Sequence, residues 1–153
     1  MSKTVKIVVW LVVIIVVIAI GASLSRKGGD TGTGPIKIGF IGPLTGDAAN
    51  IGQNSKAAVS IAVDEINAAG GINDRQLEVI YEDGQCNGKT ASNAANKLIN
   101  VDKVPVILGG ACSGETSAFT GASEQAKVVT LSYCSSVPTI TEAGDYIFRD
   151  YPS

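Results

Sequence analysis

From Ile36 onward, short β-rich runs alternate with segments of helical periodicity, and this alternation restricts the fold more than any other feature. "IKIGFIG" is a strand that ends at Gly42 and Pro43. Residues 54–69 place apolar side chains at 58, 59, 62, 63 and 66, the spacing of one helix face, and Gly70 and Gly71 stop the run. "QLEVIYED" is a second strand. Residues 89–101 predict a second helix, with Ala91, Ala94, Ala95, Leu98 and Ile99 along one side. "VPVILGG", a weaker helical pattern over 114–127, "VVTLSY" and "YIFRD" complete the series.

Such alternation implies right-handed βαβ crossovers and an α/β fold with a mostly parallel sheet. The nearly continuous apolar strands agree, because a parallel sheet is covered on both faces. Ligands of such sheets bind beyond the carboxyl ends of the strands. Three loops should meet there: "GPLTGDAANIG", "GGACSGET" and "SYCSSVP". Their small hydroxyls and exposed N–H groups suit a polar small molecule, although strand-to-helix turns favour Gly and Ser in any case.

The preceding residues are of another kind. Ile7 to Ser25 carries no charge over 19 residues, which as a helix rise ~28 Å, close to the hydrocarbon thickness of a bilayer. Lys3 and Lys6 precede it, and small-residue cleavage patterns after it are poor, so residues 1–25 read as an uncleaved signal anchor, with a cleaved signal as the rival. Residues 26–35, "RKGGDTGTGP", have nothing to bury and read as a tether with a reach of ~18 Å. Residues 36–153 are the globular part, expected on the extracytoplasmic side.

Charge and composition exclude several functions. Twelve basic residues against 14 acidic ones, with no basic block, argue against nucleic acid. The absence of histidine weakens metal sites and catalytic triads together. Gly110, Cys112 and Gly114 spell a nucleophile elbow, but the cysteine has no histidine to make its thiolate. "DGQCNGKT" approaches a phosphate-binding loop, yet the first required glycine position holds Asp83. No enzyme, metal or cofactor is expected. Cys86, Cys112 and Cys134 each follow a strand; in an oxidising compartment two should pair, whereas in the cytosol three buried thiols would serve.

"IKIGFIGPLTGDAANIGQNSKAAVSIAVDEINAAGGINDRQLEVIYEDGQCNGKTASNAANKLI", followed by "VPVILGGACSGETSA", resembles the extracellular ligand-binding proteins of branched-chain amino acid importers, which are type I periplasmic binding proteins. The resemblance implies a two-lobed hinge protein that closes over a free amino acid for an ABC permease. Residues 36–153 would be part of its first lobe, a three-layer sandwich. A sensor or receptor ectodomain of the same fold is the alternative. The resemblance matches Cys86 and Cys112 to a disulfide pair, which leaves Cys134 free. It matches Ser113 to a serine that holds the ligand carboxylate through its hydroxyl and N–H. Cys134 matches a position whose carbonyl receives the ligand ammonium, and Ser136 a ligand-binding threonine. Tyr133 and Ser135 complete the expected ligand-binding set. Two positions depart from the pattern: Ile51 replaces a tyrosine, and Glu115 places a negative charge that costs affinity unless it points away.

Overall fold

The computed structural model describes residues 33–153. The expected anchor and most of the expected tether lie outside the described residues, and no described helix is long and apolar enough to cross a membrane.

The elements run β1 (Ile36–Gly42), α1 (Ala49–Ala68), β2 (Leu77–Asp83), α2 (Gly88–Asn100), β3 (Val106–Leu108), α3 (Ser113–Ala126), β4 (Val129–Ser132), a 3-10 turn (Pro138–Glu142) and β5 (Ile147–Arg149). The strands form one sheet in the order β2-β1-β3-β4-β5, and every pairing is parallel. The carboxyl ends of the strands therefore share one edge, as the alternation requires.

Register sorts the side chains between the two faces. Gly39 pairs with Ile107, and Ile107 with Thr130. This row and Ile41 face α2 and α3, where Ala91, Ala95, Leu98, Ile107 and Phe119 are all fully buried. The whole predicted face of α2 is buried, so its periodicity was a true record of packing. Gly39 is needed here, because a Cβ would strike the Leu98 side chain. Asn87 starts α2 by accepting the Thr90 N–H at 3.1 Å.

The adjacent row, Tyr81–Phe40–Leu108–Leu131–Phe148, points the other way. Helix α1 lies over β1 and β2 on this side, with Ser60 and Tyr81 hydroxyls 2.9 Å apart. Its apolar face differs from expectation. Gly52 is its only buried residue, Val59, Val63 and Ile66 are half-buried, and Ala58 and Ala62 are exposed. The helix also begins at Ala49, before the expected position 54. Gly52 reads as a helix breaker in sequence, but Pro43 lies so close that no Cβ fits.

Candidate functional site

Four loops meet at the carboxyl edge, one more than expected, and polar side chains latch each to the next. The first latch is Asp83, the last residue of β2. Its Oδ1 accepts the N–H of Leu44 (2.8 Å), Thr45 (3.3 Å) and Gln85 (3.1 Å), and its Oδ2 accepts the Thr45 hydroxyl. Partial burial alone would raise its pKa, but these hydrogen bonds from Thr45, Leu44 and Gln85 overcome it and hold the carboxyl below its ordinary value.

The second latch is Glu115, the third residue of α3, fully buried. Its Oε1 accepts the Cys86 N–H at 2.9 Å, and its Oε2 accepts those of Ala111 (3.1 Å) and Cys112 (3.0 Å). Burial pushes its carboxyl above the usual range against the pull of the three N–H donors. A covalent link spans the same seam: Cys86 and Cys112 are joined, with Cα atoms 5.3 Å apart, and Cys134 is free. Glu115 thus points beneath the loops and is occupied there.

Hydroxyls make the third latch. Thr116 Oγ1 accepts the Gly110 N–H at 2.9 Å and lies 2.7 Å from Ser135 Oγ. Ser132 donates to the Gly110 carbonyl at 2.8 Å and accepts the Ser135 N–H at 3.2 Å. All three hydroxyl residues are fully buried. From the far side, Arg149 donates to the carbonyls of Ser136 (3.0 Å) and Val137 (3.4 Å). Asp83, Thr116, Ser132 and Arg149 were not singled out as site residues from sequence. Only the position of Asp83 at a strand end offered a signal, since the roles of the others depend on which strands are neighbours.

The expected ligand set divides by depth. Ser113 opens α3, and its hydroxyl accepts the Val137 N–H at 3.3 Å, bridging the third and fourth loops. Ser136 is exposed and Cys134 half-buried. Ser135 lies beneath them in the hydroxyl network. Tyr133 stacks on Phe40 with ring centroids 5.7 Å apart, and burial pushes its phenol well above the usual range. Ile51 is exposed at the start of α1.

Among the described residues, Cys86, Cys112 and Glu115 bring possible metal-ligand atoms within 4.8 Å of one another. The sulfurs are bonded to each other, and a disulfide lacks the thiolates that bind metal. A groove of about 750 Å³, lined by Thr141, Phe148, Arg149 and Tyr151 among others, lies at the β5 edge and includes neither Ser113 nor Ser136.

Residues 35–152 match the family described as periplasmic binding protein. The chain is 38% identical over 115 residues to the leucine-, isoleucine-, valine-, threonine- and alanine-binding protein of Pseudomonas aeruginosa, covering 74% of this chain and 31% of that one. A branched-chain amino acid transporter substrate-binding protein from Streptococcus pneumoniae, solved with isoleucine, superimposes with a TM-score of 0.72 at 35% identity, over 75% of this chain and 33% of the other. A solute-binding protein from Rhodopseudomonas palustris, solved with 3,4-dihydroxybenzoic acid, gives 0.70 at 29% identity, over 75% and 31%. The chain thus spans about a third of the length of these relatives. Its parallel sheet, its latched loop edge and these likenesses agree: the chain belongs to the periplasmic binding protein family.

Proposed function

We propose that residues 36–153 are part of the first lobe, a three-layer sandwich once complete, of an extracytoplasmic solute-binding protein. It captures a free amino acid, or a similar small polar carboxylate, for an ABC permease. Residues 1–25 anchor it as a single membrane-spanning helix, and residues 26–35 tether the lobe clear of the surface. The reading assigns no reaction and no cofactor.

One observation carries the ligand class. Ser113 accepts a hydrogen bond from Val137, so its O–H proton remains available to donate outward. The N–H groups of Ser113 and Gly114 are the first two of α3, where a helix has no internal partners for them. Donors at a helix N-terminus favour an anion. Isoleucine and 3,4-dihydroxybenzoic acid, bound in two solved relatives, have a carboxylate in common. Ser136 and the Cys134 carbonyl lie in the fourth loop, which Ser113 bridges, and complete the ligand-facing set. Tyr133 and Ser135 support them from below.

The test is calorimetry with isoleucine and with 3,4-dihydroxybenzoate. It uses a chimera in which residues 35–152 replace the matching third of the streptococcal relative. Ser113→Ala removes a hydrogen bond to a charged group, worth ~1.5–3 kcal/mol, so affinity should fall roughly ten- to hundredfold. Thr120→Ala, whose hydroxyl bonds the Ser117 carbonyl within α3 and which lies outside the proposed ligand set, should leave binding unchanged. Unchanged affinity in Ser113→Ala would remove the carboxylate from this turn.

A further inference from the structure

Glu115 occupies an unusual position relative to the disulfide. Its carboxylate accepts the backbone N–H of both bonded cysteines, and of Ala111, the residue before Cys112. One of its oxygens lies within 4.8 Å of both sulfurs. The segment it grips on the β2 side is strained: Gln85 and Cys86 have φ of 55° and 50°, in the left-handed region that non-glycine residues rarely adopt. Gln85 is held by Asp83 and Asn87 by the Gly84 carbonyl, but once the sulfur bond opened the Cys86 N–H would have only Glu115 to hold it. All three groups facing the carboxylate are donors, which suits the ionised form.

We infer that Glu115 is a positioning residue for the Cys86–Cys112 bond, holding the two cysteines in bonding register and so favouring the disulfide over the dithiol. Two effects act in the same direction. With the carboxylate in place, the reduced cysteines stay close, so the effective concentration of one thiol near the other remains high. A thiolate forming beside a buried carboxylate is also disfavoured, which withholds from the dithiol the stabilisation that ionisation would give it. Without the carboxylate, the reduced loop relaxes out of the left-handed conformation, and the dithiol gains stability that the disulfide does not. The device keeps the second and third loops joined beneath Ser113, yet it acts whether or not a ligand binds there.

The experiment needs no ligand. The full 153-residue chain carrying Cys134→Ser, so that only the two cysteines of the bond remain, is equilibrated with mixtures of reduced and oxidised dithiothreitol. Reduction adds two electrons and two protons to the disulfide and gives two thiols, while dithiothreitol closes to its cyclic disulfide. The readout is the fraction of alkylatable thiols, with circular dichroism as the check on folding. Glu115→Gln should be half-reduced at a reductant-to-oxidant ratio at least tenfold lower than the parent, about 30 mV for a two-electron couple. Asp83→Asn loosens the same loop through Gln85 without touching either cysteine and should shift the ratio less than about twofold. Parent-like behaviour of Glu115→Gln, or an equal shift in Asp83→Asn, overturns the assignment. Should Glu115→Gln fail to fold, Glu115→Asp keeps the charge but is one methylene short. It must shift the ratio in the same direction, and a parental ratio there overturns the assignment equally.

Discussion

Two carboxylates close neighbouring seams of the loop edge in opposite surroundings. Asp83 joins the first and second loops near the surface, where water competes for its hydrogen bonds, and its pKa is lowered. Glu115 joins the second and third loops at zero exposure, and its pKa is raised. Both collect backbone N–H groups from a loop they do not belong to. The difference lies in the solvent. Near the surface, donor hydrogen bonds outweigh a small desolvation cost; in the interior, desolvation outweighs three good donors. The seam that is more expensive to charge is also the more expensive one to leave empty, because its N–H groups are partly or fully buried.

The largest expected effect follows directly. Glu115→Ala strands three backbone donors beneath the loops and should cost about 3 kcal/mol in urea unfolding at pH 7. Asp83→Ala leaves its donors within reach of water and should cost about 1 kcal/mol. Equal losses would break the comparison.

A smaller effect separates the seams by sign. Glu115 has a folded pKa above its ordinary 4.5, so the folded state binds the proton more tightly than the unfolded chain. Wild type should gain stability relative to Glu115→Gln as pH falls from the folded value towards 4.5. Asp83 has a folded pKa below 3.8, so its contribution is present above 3.8 and lost as pH falls through the folded value. The difference between wild type and Asp83→Asn should therefore shrink in that acid range. Parallel pH profiles for the two variants would show that burial does not distinguish the latches.

The smallest effect sets the baseline. Ile61, 61% exposed on α1, belongs to no latch and no core. Ile61→Ser should change stability by less than ~0.5 kcal/mol in the same urea series. A larger loss would mean that the face of α1 contributes packing the two seams were credited with.

Much of the fold was legible because it rests on local periodicity. The strand–helix order, the face of α2 and the stop at Gly70 and Gly71 depend on residues a few positions apart. The start of α1 was not legible, since Gly52 reads as a helix breaker and only the closeness of Pro43 in the fold shows why a glycine is required there. Nor was the apolar stripe of α1 a guide to burial. A stripe records a preference for a partner, and among the described elements this helix has chiefly β1 and β2 beneath it. Within the candidate site, resemblance named Ser113 and the fourth loop as the expected ligand side, and it named the Cys86–Cys112 pair that the structure joins. The structure sorted that set by depth, setting Ser135 within the hydroxyl network and leaving Ser136 exposed.

The sequence by itself determined the parallel α/β order, the edge at which the loops gather and the residue types gathered there, because periodicity and turn chemistry act over a few residues. Only the tertiary structure decided where the Glu115 charge goes. From sequence it stood as a repulsive group beside a proposed anion site. Folding brings the N–H of Cys86, 29 positions away, to within 2.9 Å of one oxygen, while Ala111 and Cys112 reach the other. Whether a carboxylate faces a ligand or lies beneath the loop that would meet one depends on which donors the sheet order brings to it, and that order is set by packing across the whole sheet.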